Sequence, residues 1–198
     1  LQASSDGTRI LARPFTNTTI RAQDSLLVSF PGAVAGGVSV RSTSSDLLGG
    51  RIDLVKPMLR HDGLCVELLG GYRFLHYNEG LAIDQSVTPI GAPGGPSRTL
   101  RDVFRSGNEF HGAELGLRAK VNRGSWTLRM TGKVAMGANR QEIEIDGTTA
   151  VAGGPVHEGG FLALSSNSGR FTDDEFAVIP EFEIALSRRI TDNVHLSV

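Results

Sequence analysis

Residues 176–187 read Phe-Ala-Val-Ile-Pro-Glu-Phe-Glu-Ile-Ala-Leu-Ser, and this stretch decides the fold. Successive side chains of a strand point to opposite faces. Phe176, Val178, Pro180, Phe182, Ile184 and Leu186 then share one wholly apolar face. Ala177, Ile179, Glu181, Glu183, Ala185 and Ser187 share the other, which carries two carboxylates. Such a strand asks for a nonpolar medium on one side and a polar one on the other.

The same alternation recurs upstream. In 48–55, Leu48, Ile52 and Leu54 oppose Arg51 and Asp53, and in 64–76, Leu64, Val66, Leu68, Tyr72 and Phe74 oppose Cys65, Glu67 and Arg73. In 112–121, Leu115, Leu117 and Val121 oppose Glu114, Arg118 and Lys120, and in 126–136, Trp126, Leu128, Met130, Val134 and Met136 oppose Arg129 and Lys133. Weaker strands are read at 37–43, which sets Arg41 against Val38 and Val40, and at 193–198. Helical periodicity is almost absent, so the expected fold is all-β, an antiparallel up-and-down meander of about seven strands. Asp62-Gly63, Asn122-Arg123-Gly124 and Thr191-Asp192-Asn193 are tight-turn signals. A short connection is expected near Ser44–Asp46, and long loops at 84–100 and 146–174. Residues 1–33 read as an irregular segment with a short strand near Leu26–Phe30, ahead of a partial barrel domain at 34–198.

Composition narrows the function classes. Among 198 residues the net charge is −1, with no basic surplus of the kind nucleic acid demands. No run approaches the roughly 18 apolar residues of a spanning helix, so a membrane role falls to strands. The single cysteine, Cys65, cannot form an internal disulfide and reads as an inert structural residue. The chain starts at Leu1 without an initiator Met and stops at Val198 inside a strand-like run. It is therefore expected to be an internal section with strands missing at each end.

A soluble β-sandwich also alternates apolar and polar residues. Two features favour a barrel in lipid, the expectation being a transmembrane β-barrel. The polar face carries charges of both signs, Arg51, Asp53, Glu67, Arg73, Glu114, Arg118, Arg129, Lys133, Glu181 and Glu183, as a lumen-facing network would. It also carries Gly49, Gly71, Gly112, Gly116 and Gly137, which would give long charged neighbours room, whereas glycine otherwise weakens strands. Hydrocarbon offers backbone groups no partners, so strands in lipid must close into a ring. A tilted spanning strand needs about 9–11 residues, which most segments supply. Trp126, Tyr72 and Tyr77 lie near strand ends, where interfacial aromatics belong.

Catalytic and metal chemistry find little support. His61, His76, His111, His157 and His195 have no metal-ligand spacing. His61 and His157 are expected in solvated turns or loops, His76 and His111 on the outer face near strand ends, and His195 inward. Glu181 and Glu183 could perturb one another's titration as like charges, but pairing with basic neighbours is the commoner outcome. Asp173-Asp174-Glu175 lacks the alternating ligands and glycine turn of a calcium loop and reads as a solvated loop. The glycine-rich stretches at 91–95 and 153–160 lack a phosphate-loop pattern. No catalytic residue, metal site or cofactor is expected.

Five blocks carry a resemblance: LLGGYRFLHYNEGL at 68–81, NEFHGAELGLR at 108–118, WTLRMTGKVAMG at 126–137, GFLALSSNSGRFTDDEF at 160–176 and FAVIPEFEIALSRRIT at 176–191. In order and spacing, over roughly 24–198, they resemble the planctomycete BBP7 family of outer-membrane β-barrel proteins. The resemblance implies a transmembrane barrel in the bacterial outer membrane and no enzymatic activity, cofactor or ligand. The aromatic-rich upstream strand usual in such proteins is absent, and Val198 is not the aromatic residue on which bacterial barrels tend to finish. The functional expectation is a structural or pore-forming barrel whose partners are the lipid bilayer and small solutes, without nucleic acid. The alternatives are a soluble β-sandwich or barrel that binds a ligand or partner through its long loops and, more weakly, a barrel-embedded hydrolase.

Overall fold

The computed structural model describes all residues except 18–19, 92–93, 192–193 and 198, and the side chains of 44–46 and 195 also lie outside the described residues. Ten strands follow in order: β1 Gln2–Ser5, β2 Leu11–Asn17, β3 Ala22–Ser29, β4 Val34–His61, β5 Leu64–Pro89, β6 Arg98–Arg123, β7 Trp126–Val151, β8 Val156–Glu158, β9 Gly169–Thr191 and β10 Val194–Ser197. The antiparallel meander expected from the alternation is present. One sheet runs β1-β4-β5-β6-β7-β9-β10, with β8 added to β7, and β2 and β3 form a separate pair. Among the described residues there is no helix to cross a membrane.

Two connections are minimal. Asp62 and Gly63 both have positive φ, 41° and 83°, which is the backbone of a type I′ hairpin turn. The β6–β7 turn is Gly124–Ser125, one step beyond the expected position, with Gly124 at φ 61°. The expected turn at Thr191–Asn193 falls partly outside the described residues, between antiparallel β9 and β10.

Four expectations are corrected. The expected turn at Ser44–Asp46 does not exist, because β4 runs through it unbroken for 28 residues. The expected long loops at 84–100 and 146–174 shrink. β5 reaches Pro89, β6 begins at Arg98, β7 reaches Val151, β8 occupies 156–158 and β9 begins at Gly169, so Asp173–Glu175 and His157 sit in strands. Residues 1–33 hold three strands rather than one. The reason is common to all: these segments pair through backbone ladders that no lipid-facing stripe of apolar side chains advertises.

The chain clusters into two compact units. The first comprises Leu1–Ser45, Asn78–Ser106 and Glu142–Thr172; the second comprises Asp46–Tyr77, Gly107–Gln141 and Asp173–Val198.

In the first unit β1 pairs with the start of β4, Gln2 opposite Ser39, and the β2–β3 hairpin pairs Phe15 with Asp24. Its interior holds Val28, Ile83 and Ala163, together with a polar anchor at Asp102. Asp102 is fully buried, and its Oδ1 accepts the N–H groups of Phe161, Leu162 and Ala163 at 2.8, 3.0 and 3.0 Å. Arg13 of β2 reaches Asp102 Oδ2 at 3.4 Å, donates to Gln85 Oε1 at 3.0 Å and lies over the Phe161 ring. One carboxylate thus ties a loop, a hairpin and a strand together, with its own charge answered. On β7 of this unit Glu142, Glu144 and Asp146 share one parity, and they pair with Arg170 or Arg105.

The second unit is the wall read from sequence. On β6, Gly112 and Glu114 are buried while Ala113, Leu115 and Leu117 are exposed; on β7, Thr131, Lys133 and Ala135 are buried while Val134 and Met136 are exposed. The apolar face is uncovered, with Leu54 at 78% and Phe182 at 70% exposure.

Candidate functional site

The charged face of the second unit brings most of the sequence-singled residues into one network. Lys133 on β7 donates to Asp53 Oδ2 of β4 at 2.5 Å and to Glu114 Oε1 of β6 at 2.8 Å. Arg73 on β5 donates to Glu114 Oε2 at 3.3 Å and to Glu181 Oε2 of β9 at 2.7 Å. Arg51 on β4 donates to Glu181 Oε1 at 2.6 Å. A separate pair joins Arg118 of β6 to Glu67 of β5 at 3.4 Å. Lys133 and Glu114 are the most deeply placed, each with 1% of its side chain exposed.

These contacts set the curvature of the sheet. β4 and β9 are four strand steps apart along β4-β5-β6-β7-β9. At roughly 4.8 Å per step, a flat sheet would hold them about 19 Å apart, with side chains standing normal to the plane. An Arg and a Glu meeting tip to tip cannot bridge that gap. The sheet of this unit is therefore strongly concave on its charged side, and the Arg51–Glu181 pair crosses the concavity.

Glycines make the packing possible. A Cβ at Gly116 would stand 2.7 Å from Lys133 Cγ, and one at Gly71 would stand 2.8 Å from Asp53 Oδ1. The small residues on the charged face lie where long side chains fold down against the wall.

Two of the sequence-singled residues join neither the network nor the separate Arg118–Glu67 pair. Glu183 is exposed and Arg129 is half-buried, and neither makes an ion pair among the described residues. His195 was expected to point inward; its side chain lies outside the described residues. Cys65 is a half-buried free thiol whose Sγ lies 3.9 Å from Glu67.

Sequence reasoning missed one arrangement outright and, of a second whose residues it placed on the outer face near strand ends, the contacts. The Arg13–Gln85–Asp102 cluster lies in stretches read as irregular or looped, where no pattern signals it. The apolar face ends in a polar aromatic group: His111 contacts the Tyr72 hydroxyl, packs tilted against Phe74 with ring centroids 5.0 Å apart and meets Glu109 at 2.8 Å. Near the opposite end of the strands, Arg188 lies over the Trp126 ring. These groups lie toward the two ends of the apolar stripe, and amphipathic rings favour a lipid–water boundary. Among the described residues no group of three or more His, Cys, Asp and Glu could hold a metal.

A strongly curved antiparallel sheet, charged within and uncovered and apolar without, belongs to the class of membrane β-barrels, where backbone pairing in the sheet leaves lipid only apolar side chains to meet. The chain belongs to the family described as Putative beta barrel porin-7 (BBP7), whose family model matches residues 1–198. No curated protein matches it. The match takes in residues 1–23, upstream of the blocks that carried the resemblance. Membership of a porin-like family favours a non-enzymatic role in an outer-membrane setting.

Proposed function

We propose that the chain forms the wall of a narrow outer-membrane pore whose lumen is lined by Arg51, Asp53, Glu67, Arg73, Glu114, Arg118, Arg129, Lys133, Glu181 and Glu183. The observation that carries this reading is the Arg51–Glu181 pair at 2.6 Å across four strand steps. Side chains that meet across the concavity nearly fill it, as expected near eight strands, where the interior is just wide enough for side chains to fill, so this lumen passes at most water and small ions. The uncovered apolar face supports the lipid setting, since soluble monomers rarely expose contiguous apolar patches above a few hundred Å². A soluble sandwich would cover that face with a second sheet.

The test is reconstitution of the full-length protein. It should need detergent, migrate on gels in a heat-modifiable way and give small, discrete conductance steps in planar bilayers. A protein that stays monomeric and soluble without detergent contradicts the membrane reading. Conductance steps of wide-porin size contradict the narrow lumen.

A further inference from the structure

The charged face of the second unit is not uniformly neutralised. Toward the Gly124–Ser125 turn, Thr127 Oγ1 bonds Asn122 Oδ1 at 2.8 Å, so these two residues face each other across β6 and β7. Further along, a Cβ on Gly116 would touch the Lys133 backbone at 3.2 Å, so these two also face each other. Between those fixed points the same register sets Lys120 opposite Arg129 and Arg118 opposite Thr131. Directly opposed residues have Cβ atoms roughly 5 Å apart, and like charges so placed destabilise the pair.

Little in the chain offsets this. Arg118 has Glu67 at 3.4 Å, while Lys120 and Arg129 make no ion pair among the described residues. On β9, Phe182 lies beside Gly132 of β7, which brings Glu183 alongside Thr131, and the Glu183 side chain is exposed and makes no ion pair among the described residues. Five buried side-chain polar atoms lack a hydrogen-bond partner among the described residues, and three of them, Arg118 Nε, Arg129 Nε and Thr131 Oγ1, fall within this square of four residues. Thr131 is 3% exposed. An unpaired buried donor costs free energy unless something accepts from it. Two guanidinium forks, one ammonium and one hydroxyl offer only donors and an adaptable O–H, a set that fits a compact oxyanion.

We propose that Arg118, Lys120, Arg129 and Thr131 form a binding site for a small soluble oxyanion, with inorganic phosphate as its simplest representative. The two guanidinium groups grip the anion's oxygens, Lys120 supplies a further charge, and the Thr131 hydroxyl donates from the wall. The site sits on the charged face of the barrel reading, so a soluble solute rather than a lipid headgroup is its ligand. It lies apart from the Lys133–Glu114–Arg73–Glu181 network, whose charges already answer one another.

The experiment is phosphate titration by calorimetry of the full-length protein in detergent, after gel mobility has established that it is folded. Saturable one-site binding is expected. The Lys120→Gln/Arg129→Gln double variant should bind at least tenfold more weakly, Glu183→Gln should bind more tightly, and Arg188→Gln, on a different face, should leave binding unchanged. No saturable binding by the folded wild type, or equal binding by the double variant, overturns the proposal. A second readout is the fold itself: phosphate should raise the thermal midpoint of the wild type and not that of the double variant. Binding to chloride-exchangeable phosphate with anionic detergent micelles competing equally would assign the affinity to bulk charge, and also overturns it. Failure of the barrel reading would appear separately, as solubility without detergent.

Discussion

Along β7 the apolar residues change sides. From Trp126 to Met136 the even-numbered positions are apolar and the odd ones carry Arg129 and Lys133; from Glu142 to Asp146 the even positions are acidic and the odd ones are Ile143 and Ile145. The first stretch belongs to the second unit and the later one to the first unit. In the second unit the outward side chains suit hydrocarbon and the interior is held by ion pairs. In the first, Arg105 and Arg170 pair with Glu142, Glu144 and Asp146 on the even side, and Val28, Ile83 and Ala163 are buried. One strand can serve two media because its period of two is kept while the chemistry of each side is exchanged.

The largest test of this contrast is Lys133→Met. It strands Asp53 and Glu114 as neighbouring carboxylates at a site where Lys133 and Glu114 are almost fully enclosed. Removing one partner of a buried pair costs about 3–5 kcal/mol. Urea unfolding in lipid vesicles should show that loss, and a change below about 1 kcal/mol would mean the network is solvated rather than structural.

Next is a matched pair on the even side of the two units. Ile184→Arg places a cation against lipid and should cost about 2–4 kcal/mol, more than Glu183→Ala. Thr148→Arg, on the exposed side of the first unit opposite Glu158, should fall within about 0.5 kcal/mol of wild type. Equal costs would erase the distinction between the units.

Asp102→Asn probes the interior of the first unit. The amide keeps an acceptor for the N–H groups of 161–163 but loses the charge that faces Arg13, at a cost of about 2 kcal/mol. Hydrogen exchange should quicken at Phe161–Ala163, with little change at Lys133. The smallest effect concerns Asp6, whose Oδ1 accepts from the Thr8 hydroxyl at 2.7 Å and the Thr8 N–H at 3.2 Å. These bonds hold its carboxyl below the ordinary value of 3.8. A depressed folded value means that this turn is favoured above the ordinary carboxylate range and loses that support as pH falls through the lowered value. An NMR titration should place the Asp6 midpoint low, and Thr8→Val should return it toward normal.

What the sequence reveals follows the same division. In the second unit, lipid imposes a strict apolar stripe, so Phe182, Ile184, Leu115, Leu117 and Met130 announce both strand and face. The charged partners could be placed on a face, but not matched. Lys133 choosing Asp53 and Glu114, and Arg51 choosing Glu181, depend on curvature, which no local pattern encodes. In the first unit, polar residues that also suit loops make up much of the strand ends, so Asp84–Pro89 and Asp146–Val151 read as loops. Residues 1–33 hid the β2–β3 hairpin because Leu11–Asn17 and Ala22–Ser29 do not alternate apolar and polar residues strictly, and the Arg13–Asp102 contact joins residues 89 positions apart that meet only in the fold.

The exchange of sides also guards the alignment of long strands. β5, β6 and β7 each run 26 residues, and a strand of that length offers many neighbouring pairings of similar backbone quality. A slip by one residue turns every side chain to the other face. In β7 such a slip would press Arg129 and Lys133 into hydrocarbon and at the same time turn Glu142, Glu144 and Asp146 away from Arg105 and Arg170. A single error is penalised at both ends of the strand, so a misaligned intermediate has no stretch in which it looks correct. For a chain that must zip up from turns as small as Asp62–Gly63, this is proofreading written into the order of residues.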